Sequence, residues 1–416
     1  MAASDGRAVI IGGGIAGLLA AHLLARRGWT VTLLESDRVP SGTAYRVGIP
    51  QSRHIHRLLM RGLAVLEARF PGIGAELEGE GALQLDLARD VATHGARGWL
   101  PRFSSGLTSL FCSREMLSAV LHRRALAGGA VTVREGCRVR GLILDDERRR
   151  VRGVITDTDG VRLDAELVID SSGRASKLPQ WLREAGLTPP RESCVDEQLG
   201  YASRYYRPSR EAARSWDALY ISDVPPALPR SGGIFPIEGG LWHVTLAGYR
   251  GDCPPTDAEG FDGFAKSLAS PLLYEHLRRA TPCSPIYGSR KLLNRWLHYE
   301  ELDDLPDGLL VMGDALCTFN PVHGQGMTTA LLVADRLSDV APGAGWTRGF
   351  MRSVAPLLER PWLLATAGAS EKEVESRGPS GSTLRRQLLT LEMQAMGSYL
   401  HVSAVYRRYL RIAHLS

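Results

Sequence analysis

The chain has 416 residues, with 50 basic against 45 acidic side chains for a net charge of +5, and 44% apolar and 23% charged residues. That composition excludes a disordered chain, and the length calls for two connected cores rather than one. Only four basic residues are lysines (Lys177, Lys266, Lys291, Lys372), and no basic run interleaved with aromatics occurs beyond Arg148-Arg149-Arg150, so no nucleic-acid partner is expected.

The N-terminus reads as a βαβ unit, with a buried strand at 7–11, a helix at 15–27 that is apolar almost all round, and a second strand at 30–35. The uncharged stretch 8–25 contains four glycines and a strand–turn–helix pattern, which excludes an integral membrane segment or a signal peptide. Residues 50–100 read as irregular. A helix is expected at 114–126, ended by Gly128-Gly129, then strands at 130–133, 138–144, 151–156 and 161–170. From 190 to 290 the pattern becomes antiparallel, with aromatic strands at 199–206 and 241–248. A short strand at 309–313 and a helix at 326–337 follow, and 346–416 is mostly helical, with 383–412 able to lay an apolar stripe on the body. Six scattered cysteines without a CxxC pair predict no zinc or other metal site and suit a reducing, cytoplasmic location.

Two glycine-rich turns carry chemistry. Gly12-Gly13-Gly14-Ile15-Ala16-Gly17 has the GxGxxG spacing between a strand and a helix. Gly12 permits the tight turn, Gly14 lets a diphosphate approach the helix N-terminus, and Gly17 lets the helix pack close to the sheet. Glu35 lies 18 residues beyond Gly17 at the end of the second strand, where a carboxylate accepts hydrogen bonds from ribose hydroxyls and favours FAD or NAD over NADP. The second turn runs from Gly313-Asp314-Ala315 through Asn320-Pro321-Val322-His323-Gly324-Gln325-Gly326-Met327. Its Asp suits a ribityl-like hydroxyl chain, and the helix it opens can face the anionic edge of a reduced flavin. Arg114, opening the helix at 114–126, is a third candidate contact.

These motifs resemble the aromatic-hydroxylase (group A) class of FAD-dependent monooxygenases over about residues 1–60, 110–180 and 290–340. The segments 49–56, 170–176, 199–204 and 235–240 bring the resemblance closer to actinobacterial epoxidases of polyether-type polyenes, with squalene epoxidase more distant. The resemblance implies an α/β fold: a three-layer, Rossmann-like FAD-binding domain of the glutathione-reductase type (1–50, 105–190, 290–345), an antiparallel β-sheet substrate domain (51–104, 191–289) and a helical C-terminal region (346–416). It implies FAD contacts at Gly12, Gly14, Ile15, Ala16, Gly17, Glu35, Arg53, Arg114, Val139, Asp170, Gly313, Asp314, Pro321, Gly324, Gln325, Gly326 and Met327. Two departures stand out: two serines separate Asp170 from Gly173 where the family has Asp-Gly, and His323 stands where Tyr is expected.

The implied reaction is insertion of one oxygen atom from O2, through a flavin C4a-hydroperoxide, into a hydrophobic natural-product precursor, with alkene epoxidation favoured over aromatic hydroxylation. Electrons would come from NAD(P)H or from a separate flavin reductase, since a second GxGxxG is missing. Epoxidation needs no strong base, whereas phenol hydroxylation does. The candidate bases are His54, His56, His243, His323, Tyr201, Tyr205 and Tyr206, with His323 favoured as the catalytic residue because its turn should touch the flavin. Tyr206, Phe235 and Trp242 are the candidate substrate contacts. A halogenase of the same fold, which needs a lysine near the start of its catalytic module, and a non-redox FAD-dependent cyclase are the rival readings; no lysine precedes Lys177.

Overall fold

A computed structural model describes residues 6–38, 50–157, 160–209, 214–223, 228–290, 292–339, 345–366, 374–375 and 400–415. The first core is a five-stranded parallel sheet. Its spatial order is Leu309–Val311, Leu167–Asp170, Arg7–Ile11, Thr30–Leu34 and Val131–Arg134. The strands are short and almost wholly apolar because both faces are covered. Helix Ile15–Ala25 lies on the sheet and packs against helices Arg114–Leu126 and Gln325–Asp335. A three-stranded meander, Val139–Leu144, Val151–Thr156 and Arg162–Asp164, covers the other side. The expected continuous strand 161–170 is in fact two. Arg162–Asp164 pairs in the meander, and after Ala165-Glu166 the segment Leu167–Asp170 enters the parallel sheet.

The 50–100 segment is not irregular, as its sequence suggested. It holds helices Met60–Arg69 and Ile73–Gly79, whose Leu66, Phe70, Ile73 and Leu77 join the first core. Gly62 makes the contact with the Gln325 helix possible, since a Cβ there would lie 2.7 Å from Thr328 Oγ1. Residues 58–77 therefore pack with the parallel sheet, although the sequence had grouped 51–104 with the second domain.

The second core is an eight-stranded sheet around the long antiparallel ladder of Gly200–Arg207, Leu241–Gly248 and Arg230–Ile237. Ala218–Ile221 extends it, and Val91–Gly95 adds in parallel to that strand. Helices Ala258–Lys266 and Leu272–Leu277 cover the outer face. Helix Trp346–Thr366 packs Phe350, Met351, Val354 and Leu358 into the first core, and helix Ser403–Leu415 packs Tyr406 and Leu410 against Phe235 and Phe111. The expected helix at 383–412 lies outside the described residues up to 399. Among the described residues, no helix is long and apolar enough to cross a membrane, and no disulfide joins the cysteines.

Candidate functional site

Parallel strands end on one side of a sheet, and the register shows which loops meet there. Ile11 lies opposite both Leu34 and Asp170, and Asp170 lies opposite Val311. The Gly12 turn, Glu35, the Asp170–Gly173 turn and Gly313-Asp314 therefore emerge side by side, at the carboxyl ends where ligands of open α/β sheets bind. Gly12 has φ +96°, and a Cβ on it would stand 2.5 Å from Ser171 O; one on Gly17 would stand 2.0 Å from Gly12 O. Ser171 Oγ secures the turn by donating to Ile11 O and Gly12 O, each at 2.9 Å. Gly14, by contrast, faces open space. No side chain caps this helix and its first turn holds no acid, so the amides of Ile15, Ala16 and Gly17 present an anion site fit for a diphosphate.

Glu35 is buried. Its Oε2 accepts from Gly13 N at 2.9 Å and its Oε1 from Asp37 N at 3.0 Å, which fixes the carboxylate beside the glycine turn. Its carbonyl accepts from Cys137 N at 2.9 Å, and this brings the strand that starts at Val139 alongside.

Asp170 is buried and bonded within its own turn. Ser172 N donates to it at 3.0 Å, Ser172 Oγ at 2.6 Å and Ser176 Oγ at 2.5 Å. Ser172, one of the two inserted serines, and Ser176 therefore occupy this carboxylate, whose pKa burial raises against those bonds.

Asp314 differs. Its carbonyl accepts from Thr318 Oγ1 at 2.9 Å, but its carboxylate makes no hydrogen bond among the described residues. Burial pushes its pKa up, while Arg174, Arg114 and Arg295 favour the charged form. A carboxylate with three guanidinium groups near it and no hydrogen bond of its own among the described residues suits a polyhydroxyl chain. Arg114 donates to Met327 Sδ, and the two line a small cavity with His56 and Cys112. Burial drives the Cys112 thiol up to about 12, so it is no nucleophile. Glu238, whose role the sequence did not reveal, seats the Arg114 helix by accepting from Ser113 N at 2.9 Å and from Ser113 Oγ.

Pro321 opens a single turn that Asn320 caps, its Oδ1 accepting from Val322 N at 3.0 Å. Asn320 is itself locked by Asn294, at 2.6 Å to its amide, and by Glu197 at 2.8 Å. Gly324, with φ +65°, then starts the Gln325 helix without a side-chain cap, and nothing crowds Gly326. Gln325 Nε2 donates to Ala413 O at 3.3 Å, tying the turn to the C-terminal helix. The side chain of His323 lies outside the described residues.

The antiparallel sheet faces this region with one side only, and strand parity decides which residues belong to it. Tyr206 and Trp242, neighbours across the ladder, point into the outer core with Trp216, Leu219 and Phe261 beneath the covering helices. They are packing residues, and their expected substrate role is corrected. Phe235, paired with His243, sits on the inner side and meets Phe111 at 5.1 Å. Tyr201, Ser203, Tyr205 and Thr245 share that side.

The inner face also holds the loop 52–57. His54 Nδ1 lies 2.8 Å from Ser203 Oγ, which bonds Thr245 Oγ1 at 2.6 Å; Thr245 Oγ1 in turn accepts from Ile55 N at 2.9 Å. His56 Nδ1 donates to His54 O at 2.6 Å, and His243 Nε2 donates to Arg53 O at 3.1 Å. The Arg53 guanidinium stacks 4.2 Å over Tyr287, on the strand that pairs with Gly200–Arg207. Burial, with Arg53 second, lowers His54 to about 4, and burial lowers His243 to about 3; burial and Arg114 hold His56 well down. All three are neutral imidazoles near pH 7. In the acid–histidine cluster His298, Glu300 and Glu301, His298 bonds Ser193 and Glu300, and Glu301 pairs with Arg191.

This chain is 33% identical to protein Rv3254 of Mycobacterium tuberculosis (strain ATCC 25618 / H37Rv) over 347 residues, covering 79% of this chain and 72% of the relative. It belongs to the same family. Residues 10–68 match the NAD(P)-binding Rossmann-like domain family. Among solved structures, the flavin-dependent brominase Bmp2 superposes with a TM-score of 0.66 at 15% identity, covering 99% of this chain and 94% of the other. PqsL, a probable FAD-dependent monooxygenase from Pseudomonas aeruginosa, gives 0.61 at 17% identity, covering 99% and 100%. At such identities the likeness is one of fold, and the fold is the Rossmann-like FAD-binding fold with mixed sheets and a helical C-terminal region.

Proposed function

We propose that the protein is an FAD-dependent monooxygenase that places one oxygen atom from O2 on a hydrophobic small molecule. One observation carries this reading. Two uncapped helix N-termini, at Gly14 and Gly324, and two carboxylates, Glu35 and Asp314, converge on one edge of the parallel sheet and face an aromatic sheet across the gap. The amides after Gly14 would hold the diphosphate and Glu35 the ribose. Asp314 would take the ribityl chain, with Arg114 beside it, and the amides after Gly324 would face the flavin's anionic edge. Reduced flavin supplies the activation of O2.

The chain's own part is positioning and exclusion of water. Phe235 and Tyr205 form an apolar wall, and His54, His56 and His243 stay neutral, His54 bonded to Ser203 and the ring protons of His56 and His243 committed to the His54 and Arg53 carbonyls. With His54 and His243 lowered to about 4 and about 3, the imidazoles on that wall are weak bases, which favours alkene epoxidation over phenol hydroxylation, which needs a base. The resemblance to polyene epoxidases supports the same finer reading, with NAD(P)H or a separate reductase supplying electrons. Against halogenation, the two lysines among the described residues, Lys177 and Lys266, are exposed. The test is incubation of the reduced, FAD-loaded protein with isotopically labelled O2 and a polyene. One labelled oxygen in an epoxide is expected; turnover that leaves product unlabelled overturns the reading.

A further inference from the structure

Five segments meet beside Arg114 and leave a cavity between them. Leu58 precedes the helix Met60–Arg69, Leu77 lies on the helix Ile73–Gly79, Leu110 on the strand Thr108–Phe111, Leu117 on the helix Arg114–Leu126, and Met327 in the first turn of the helix Gln325–Asp335. The cavity has room for about one water-sized molecule, and its wall is overwhelmingly apolar. The four leucines are buried. Met327 and Cys112 are half-buried, and Met327 follows directly on the Gly324 turn, whose amides would face the flavin's anionic edge.

The polar groups along the wall have partners of their own. Ser113 Oγ accepts from Met116 N at 3.0 Å and donates to Glu238. His56 Nδ1 donates to His54 O at 2.6 Å, and Arg114 donates to Met327 Sδ.

Protein interiors leave few spaces as large as a water molecule, because unfilled space forfeits dispersion contacts. Size and wall chemistry together decide what this one suits. A flavin ring or a polyene is far too large for it. A water needs about two to four polar partners, whereas a small apolar molecule needs none. O2 is small and apolar, and it is the co-substrate of the proposed reaction. We propose that this cavity is a dioxygen-binding site that holds O2 beside Met327, next to the flavin seat. This rests on the monooxygenase reading and gives its gaseous co-substrate a place in the protein.

Dissolved O2 is paramagnetic and broadens the NMR signals of the methyl groups it visits. The test records methyl spectra of the purified protein, labelled at leucine and methionine, under nitrogen and under O2 pressure, with and without added FAD. Broadening is expected to be greatest at Leu58, Leu77, Leu110, Leu117 and Met327 in both states. Leu117→Phe should abolish it by filling the cavity, and Cys112→Met should do the same from another wall should Leu117→Phe fail to fold. In the filled variant FAD content should be unchanged, while the second-order rate constant of reduced flavin with O2 should fall several-fold. Broadening no greater at these methyls than at other buried ones, broadening that survives filling or that FAD removes, or an unchanged rate constant in the filled variant overturns the proposal. Protein that broadens at these methyls but takes up no FAD would keep the O2 site and sink the cofactor reading instead.

Discussion

The two faces of the cleft are written differently. On the parallel-sheet side, function lies in turns, where each residue acts within a few positions of a strand end: Gly12, Gly14 and Gly17 after Ile11, Glu35 after Leu34, Asp314 after Val311. On the antiparallel side it lies in which way a side chain points, and adjacent residues such as Tyr205 and Tyr206 belong to different worlds. Backbone amides and paired carboxylates build the first face, and buried rings build the second. A substitution on the first should therefore act through ligand affinity, and one on the second through stability or substrate fit according to its parity.

The harshest break is Gly17→Val. Its Cβ would sit 2.0 Å from Gly12 O, a backbone atom that cannot give way, so loss of soluble protein or of all FAD binding is expected, read by yield and flavin absorbance. Trp242→Ala should cost about 3–5 kcal/mol in denaturant unfolding, as expected for a fully buried aromatic. It should leave ligand discrimination intact, and a change in ligand preference without loss of stability would return Trp242 to the substrate wall. Asp314→Ala and Glu35→Ala should each weaken FAD binding, on the order of 10–100-fold; melting of the apoprotein should change little in Asp314→Ala and fall in Glu35→Ala, which orphans the amides of Gly13 and Asp37. Equilibrium titration of FAD checks this, and undiminished affinity in both would empty the site of its meaning.

The smallest effect is a pH dependence. His54 is depressed to about 4, so the unfolded chain takes up a proton below about 6.5 while the folded one does not. Stability from this group is full above pH 6.5 and is lost as pH falls towards 4, on the order of 2 kcal/mol between pH 7 and pH 5. Unfolding at both values should show that loss reduced in His54→Gln.

These contrasts explain what the sequence could reveal. The βαβ unit, the Arg114 helix and the Gly313–Met327 turn were legible because glycine spacing and caps are local. The helices Met60–Arg69 and Ile73–Gly79 were not, since Gly62, Pro71 and Gly72 punctuate them and their apolar residues find partners far along the chain, in His22, the Arg114 helix and the Gln325 helix. The run 161–170 looked like one strand because both halves are apolar enough. Its division between two sheets is fixed by pairing with Val154 on one side and Val9 on the other. Tyr206 and Trp242 were misread because aromatic content says nothing about parity until the covering helices Ala258–Lys266 and Leu272–Leu277 are known. Glu238 and Asn294 act on residues 125 and 26 positions away, beyond any motif.

The measurement that bears most directly on the whole account is rapid mixing of the chemically reduced, FAD-loaded protein with oxygenated buffer, followed by flavin absorbance with and without a polyene. The account predicts that flavin returns to its oxidised spectrum in at least two phases, through a transient species, and that the polyene diverts that species into oxygenated product. A single-phase return in both conditions, or a protein that takes up no FAD, would contradict it.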